Sequence, residues 1–323
     1  YTGVDTLFLP KTRRISSGKI IENLPEPRPG NVTILSQSGF IGESIMDLLT
    51  KSGIGVRALI CLGNQIDVSM EEMLEYFAED EKTKIVIMYV ESIKDERRFV
   101  KSAYKITSKK PVIALKGGRT LEGARAVLYH TGREAGNLKF IKEVFRQAGI
   151  IEVESFEELV DVGKIFSMQP LTNGNKLLVI TNAGGAAVIA SDTAPQHGLE
   201  IPPLSKEDKA KLDELKKSKI ILPIVAYNNP LDLTGSATNE AMVKAYETLA
   251  QNYDMCLFIP THQPPTLDER VIDKLAEVAK KIGKPVVGCD LGDSECSVYF
   301  RRKLDELKIP SYPTICLLYT SPS

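Results

Sequence analysis

The feature that most constrains this chain is a unit that recurs along it. A short, almost continuously apolar run ends in a turn of small polar residues, and apolar residues at helical spacing follow. Val32-Thr33-Ile34-Leu35 runs into Ser36-Gln37-Ser38-Gly39, and then Phe40, Ile41, Ile45, Met46, Leu48 and Leu49 mark one helix face. Val56 to Leu62 reads as the next strand. Ser69 with Glu72 reads as a capping box opening a helix that carries Met73, Tyr76 and Phe77. Ile85 to Val90 is a strand stopped by Glu91, with a helix from about Asp95 to Ser108, and Pro111 to Leu115 is another strand. Lys116-Gly117-Gly118-Arg119 then opens a polar segment around Tyr129 to Gly136. Phe140 to Gln147 is helical, Ile150 to Val153 a strand, and Ser155 with Glu158 caps a last helix. Strands apolar on both faces that alternate with helices predict a parallel sheet covered on both sides.

The unit starts again after Gln169 to Asn175. Leu177 to Ile180 is a strand, Thr181-Asn182-Ala183-Gly184-Gly185 its turn, and a helix follows from about Ala187. Further strands are predicted at Asp254 to Ile259 and Pro285 to Cys289, and helices around Lys206 to Lys219, Glu240 to Gln251 and Thr266 to Lys281. Asn228 to Gly235 reads as a structured turn. At 323 residues the chain exceeds what one core organises. The expectation is two doubly wound α/β domains, the second a diverged copy of the first. Residues 1–30 form an irregular lead-in, 31–168 the first domain, 169–175 a linker and 176–314 the second domain, with 315–323 an atypical tail.

Composition excludes several classes of function. Lys plus Arg total 41 against 42 for Asp plus Glu, a balance that gives no footprint for nucleic acid or an anionic membrane. No apolar run approaches the roughly 20 residues of a membrane span, and no basic-then-apolar leader opens the sequence. The five cysteines are scattered, without metal-ligand spacing, as reduced thiols in a cytoplasmic protein would be. No metal site is expected.

Chemistry concentrates at three places. In a doubly wound domain, ligands sit at the carboxyl ends of the strands, where helix N-termini direct unpaired N–H groups outward. The turns at Ser36, Ser38 and Gly39, and at Asn182, Gly184 and Gly185, hold that position. Each reads either as a phosphate cradle or simply as a tight turn with an N-cap. His130, one of three histidines, lies in the polar segment. Its imidazole is either a solvated loop side chain or a nucleophile able to accept a phosphoryl group. Glu91, at a strand end, is either a solvated carboxylate or the group that fixes the imidazole's tautomer. His197, beside a Gly at a helix end, and His262, in a Pro-rich turn, read as structural.

Read in order, these segments resemble the alpha-subunit region of the NDP-forming acyl-CoA synthetases, relatives of succinyl-CoA ligase. The resemblance is carried by Ser36-Gln37-Ser38-Gly39, Leu62-Gly63-Asn64, Tyr89-Val90-Glu91, Lys110 to Arg119, His130-Thr131-Gly132 with Ala135-Gly136, Phe145 to Gly149, Thr181 to Gly185 and Asn229 to Gly235. It runs from about Gly30 to Thr314 and implies flavodoxin-like, succinyl-CoA-synthetase-like domains. It also implies an acetate-CoA ligase of the ADP-forming type, which interconverts acyl-CoA, ADP and phosphate with free acid, ATP and CoA. By position, His130 matches the phosphohistidine and Glu91 its supporting carboxylate. Ser36, Ser38 and Gly39, with Asn182, Gly184 and Gly185, match the two helix N-termini that hold its phosphate. Tyr129 and Arg133-Glu134 depart from the family pattern around the histidine.

The resemblance implies coenzyme A and ADP or ATP with Mg as substrates of a complete enzyme, none of them assigned to this chain alone. A CoA-binding Rossmann domain and an ATP-grasp subunit or domain are the implied partners, in a hetero-oligomer. Two other readings remain at this point: a ligase-like regulatory region of a fused protein acetyltransferase, and a plain nucleotide- or CoA-binding α/β module.

Overall fold

The computed structural model describes residues 12–22, 26–132 and 138–315, including all their side chains except those of His130 and Thr131. The chain divides into two compact units, residues 1–167 and 168–323. In the first, β1 (Thr12–Arg14) and β2 (Ile20–Glu22) form an exposed antiparallel pair, so part of the lead-in expected to be irregular is a small hairpin. There follow β3 (Pro29–Ser36), α1 (Gly39–Lys51), β4 (Val56–Cys61), α2 (Met70–Glu79), β5 (Ile85–Val90), α3 (Glu96–Thr107), β6 (Val112–Lys116), α4 (Leu121–Thr131), α5 (Leu138–Gln147), β7 (Ile151–Val153) and α6 (Phe156–Met168). The second unit comprises β8 (Leu177–Thr181), α7 (Gly184–Thr193), α8 (Lys206–Lys217), β9 (Leu231–Asp232), α9 (Asn239–Leu249), β10 (Met255–Ile259), α10 (Arg270–Ile282), β11 (Val286–Cys289), α11 (Glu295–Glu306) and β12 (Ser311–Tyr312).

Local sequence explains where the helices begin. Ser69 caps α2 in the expected capping box with Glu72, and Ser205 with Asp208 does the same for α8. Ser38, Asp95, Thr120, Thr238 and Ser294 each accept a first-turn backbone N–H at the starts of α1, α3, α4, α9 and α11.

The first sheet runs β4-β3-β5-β6-β7 and the second β12-β11-β10-β8-β9, with every pairing parallel. Counted in chain order within each unit, both are the doubly wound arrangement 2-1-3-4-5, the second sheet being listed from its other edge. The strand order therefore reverses between β3 and β5 and again between β8 and β10, and a crevice opens at those points beyond the strand ends. Leu35, Val86, Met88 and Ala114 from the first sheet pack with Phe77, Phe99, Ile106 and Phe145 from its helices. In the second unit, Leu178, Ile180 and Phe258 pack with Tyr246, Leu275 and Leu304.

Several elements differ from the sequence expectation. Asn228 to Gly235 contains a cis Asn229-Pro230 bond and the short edge strand β9, not only a turn. The sequence reading found neither α4 nor α11 nor β12. Ile315, assigned to the atypical tail, is buried in the second unit against Leu177, Val179 and Leu257; residues 316–323 lie outside the described residues. Among the described residues no helix is long and apolar enough to cross a membrane.

Candidate functional site at the strand ends

The carboxyl end of the first sheet is built around the β3–α1 turn. Register places Ser36 opposite Cys61 on one side and Tyr89 on the other, so the turn stands beside the end of β5 at the topological switch. The Ser36 hydroxyl, fully buried, folds over the turn: it donates to Ser38 O at 2.6 Å and accepts from Ser38 N at 3.2 Å. The Ser38 hydroxyl accepts from Ile41 N at 3.4 Å as the N-cap of α1. Ser36 and Ser38 thus act on the turn's own backbone. What the turn offers a ligand is the pair of N–H groups at Gly39 and Phe40, which have no intrahelical partner. Gly39 is exposed, and a Cβ placed on it would meet nothing within 4 Å. The helix dipole adds about half a positive charge at this point.

Gln37 joins the turn to the end of β5. Its Oε1 accepts from the backbone N–H groups of Glu91 and, at 2.9 Å, Ser92, while its Nε2 donates to Ser92 O at 2.8 Å. Glu91 is therefore held at its backbone and is 6% exposed, not a solvated strand-end carboxylate. Beside it, burial and the Glu91 carboxylate push the Tyr89 hydroxyl up to about 12. From the next strand, Lys116 is 1% exposed. Its Nζ donates to Glu91 O at 2.7 Å and to Gly117 O. Burial lowers its pKa to about 8 against the opposing pull of Glu91. A Cβ on Gly117 would overlap the Tyr89 hydroxyl, so only glycine lets that ring lie there.

His130 is not a loop residue. It lies in the last turn of α4, which follows β6 and ends at Gly132 with a left-handed φ of 71°. The His130 side chain lies outside the described residues, as do Arg133, Glu134, Ala135 and Gly136. The structure therefore brings together Ser36, Ser38, Gly39 and Glu91, and places the His130 backbone on the helix after the neighbouring strand. Gln37, Tyr89 and Lys116 were missed as site residues. The available signal was a lysine closing an otherwise apolar strand directly before two glycines.

The second unit repeats the construction. Thr181, fully buried, donates through Oγ1 to Ala183 O at 3.4 Å and Ile259 O at 3.3 Å and accepts from Ala183 N at 3.0 Å, as Ser36 does with Ser38. Asn182 stands where Gln37 stands. Its Nδ2 donates to Thr261 O at 3.1 Å, and its Oδ1 accepts from Thr261 N at 2.8 Å and Thr261 Oγ1 at 2.9 Å. The Asn182 carboxamide is thus engaged within the fold, and the N–H groups of Gly184 and Gly185 in the first turn of α7 remain. This end differs from the first in one respect: an Asp232 carboxylate oxygen lies 3.0 Å from where a Gly184 Cβ would be, so a negative charge already faces that helix end. His262, expected to be structural, is only 10% exposed at its side chain and is paired with the fully buried Asp290. Among the described residues no group of acidic, His and Cys side chains is arranged to hold a metal ion.

Residues 29–166 match the family model described as the succinyl-CoA ligase like flavodoxin domain. The chain is 42% identical over 214 residues to the ADP-forming acetate–CoA ligase of Methanocaldococcus jannaschii, a match covering 66% of this chain and 30% of that protein. It is 34% identical over 293 residues to the alpha subunit of ADP-forming acetate–CoA ligase II of Pyrococcus furiosus, covering 88% of this chain and 62% of that subunit. Among solved structures it is similar to the dinucleotide forming acetyl-coenzyme A synthetase 1 of Ca. Korarchaeum cryptofilum in complex with phosphate and ADP. That match has 27% identity and a TM-score of 0.84, over 93% of this chain and 65% of the other. The chain spans less than two thirds of the length of each. On these matches the chain belongs to the ADP-forming acyl-CoA synthetase family, related to succinyl-CoA ligase, and corresponds to its alpha-subunit region.

Proposed function

We propose that this chain is the phosphoryl-carrying part of an ADP-forming acetate- or other short-chain acyl-CoA ligase. The complete reaction converts acyl-CoA, ADP and phosphate to free acid, ATP and CoA, with the phosphoryl group passing from an acyl phosphate to His130 and on to ADP. In the first transfer the bond from the acyl oxygen to phosphorus breaks, the carboxylate leaves, and a bond from an imidazole nitrogen to phosphorus forms. The added negative charge is received at a helix N-terminus. The N–H groups of Gly39 and Phe40 take that role, with Ser36 and Ser38 shaping the turn. Gly184 and Gly185, positioned by Asn182, do the same at the corresponding turn of the second unit. Glu91 accepts a hydrogen bond from the imidazole and holds its orientation.

The observation that carries this reading is the first strand-end site. An open helix N-terminus and a buried carboxylate are tied together by Gln37 at the switch point of a domain that matches the succinyl-CoA ligase like flavodoxin domain. CoA and the ADP/ATP–Mg pair are substrates of the whole enzyme. A CoA-binding Rossmann domain and an ATP-grasp subunit or domain complete it as a hetero-oligomer in the cytoplasm. The test is reconstitution of this chain with those two parts, followed by measurement of ATP formed from acetyl-CoA, ADP and phosphate. ATP formation that His130→Ala abolishes supports the reading; a reconstituted complex that makes ATP equally well with His130→Ala overturns it.

A further inference from the structure

The ends of β10 and β11 carry a second reactive cluster, in the second unit, which the ligase reading does not use. His262 Nδ1 lies 2.8 and 3.0 Å from the two carboxylate oxygens of Asp290. Asp290 is fully buried and stands one residue beyond the end of β11. Its position is fixed from both sides: its N–H donates to Tyr312 O at 3.3 Å, and Arg301 Nη1 donates to its carbonyl at 2.9 Å. The Phe300 ring, with its centroid 5.7 Å from that of the imidazole, walls the other side. On the far side of the ring, Nε2 lies 3.3 Å from the hydroxyl of Ser294, an exposed residue that is the N-cap of α11.

The hydrogen-bond directions follow from these partners. A carboxylate only accepts, so Nδ1 carries a proton, and in the neutral imidazole Nε2 then has the lone pair. The Ser294 hydroxyl therefore donates to Nε2. Its oxygen in turn accepts from Ser297 N at 3.1 Å and lies 2.9 Å from the Ser297 hydroxyl, which is buried. A hydroxyl oxygen that gives its proton to an oriented imidazole while other donors face it is the arrangement of an activated serine nucleophile. The N–H groups of Glu295 and Cys296, in the first turn of α11, have no intrahelical partner and stand next to it.

We propose that Ser294, His262 and Asp290 form an acyl-transfer site, with Ser294 as nucleophile, His262 as general base and Asp290 as the residue that positions it. The substrate class is an activated acyl compound: an ester, a thioester or an acyl phosphate. Ser294 Oγ bonds to the acyl carbon as its proton passes to His262 Nε2. The bond from carbon to the leaving group breaks, and the leaving group takes that proton. Water then releases the acid and restores Ser294. None of these steps involves His130, so this inference and the ligase reading fail separately.

The test uses the whole chain and p-nitrophenyl acetate. The expected result is a burst of about one p-nitrophenolate per chain, with an acetyl group mapped by peptide mass spectrometry to Ser294. Ser294→Asn retains a capping side chain for α11, so it keeps the native circular dichroism and loses the burst. His262→Gln slows acylation at least a hundredfold. Acetyl phosphate and acetyl-CoA, tested in the same way, identify the natural leaving group. Label on another residue, an unchanged burst in Ser294→Asn, or acylation by neither of the two biological donors overturns the proposal.

Discussion

Gln37 holds Glu91 by its backbone: one carboxamide oxygen accepts the N–H groups of both Glu91 and Ser92, and the carboxamide nitrogen returns a bond to Ser92 O. The first turn and the end of β5 are thereby one rigid piece, and the Glu91 carboxylate projects from a fixed point. Asn182 does the same to Thr261 in the second unit, so the device belongs to the repeated architecture and not to one site.

Gln37→Ala leaves two backbone donors and one acceptor without their side-chain partner at a position 7% exposed. Loss of buried partners of this kind costs about 1–3 kcal/mol. The expected outcome is a lower urea midpoint for the first unit's unfolding, with phosphorylation of the chain slowed as Glu91 loosens.

Gly39→Ala separates structure from function. Nothing lies within 4 Å of the added Cβ, and Gly39 is not among the positive-φ glycines. Stability should stay within about 0.5 kcal/mol of the wild type. In the proposed function, the methyl group stands beside the N–H groups that receive the phosphoryl oxygens. Phosphorylation by the reconstituted enzyme should fall at least tenfold in stopped-time labelling.

Glu91→Gln removes the charge while leaving its backbone bonds to Gln37 in place. The fold should be retained by circular dichroism. In the proposed function Glu91 orients the His130 imidazole, so its loss should reduce ATP formation by about 10²-fold or more.

Lys116 links stability to pH. Its folded pKa is about 8 and its ordinary value 10.5, so between these the unfolded chain binds more protons and stability rises with pH. Below about pH 8 the burial penalty is present in full. Tyr89 acts oppositely at higher pH: its raised value means stability is lost as pH climbs from 10 towards about 12. Relative to Lys116→Met, the wild type should therefore gain up to about 3 kcal/mol between pH 8 and 10.5. Urea unfolding of both proteins at intervals across this window measures the difference.

The fold was legible because strands buried on both faces leave an unbroken apolar signature, as in Ile85 to Val90 and Leu177 to Ile180. The capping box at Ser69 and the cap at Ser155 also marked helix starts. Helix α4 was obscured because its face is thinly apolar: Leu121 and Leu128 are exposed, and among its described side chains only Val127 is buried. For that reason His130 read as a loop residue. Glu91 and the two turns could be placed at strand ends from local pattern. The roles of Gln37, Lys116 and Asp290 depend on register between strands far apart in sequence, which no local spacing records. His262 was passed over for the same reason, since its partner lies 28 residues away across a strand pair.

The most direct measurement is phosphohistidine formation. The chain is mixed with the proposed ATP-grasp partner, Mg and ATP labelled in the γ-phosphate, and the protein is assayed for acid-labile, base-stable label. The account predicts one labelled site, mapped to His130, absent from His130→Ala and weakened in Gly39→Ala and Glu91→Gln. Equal labelling of His130→Ala, or label mapped elsewhere on the chain, would contradict it.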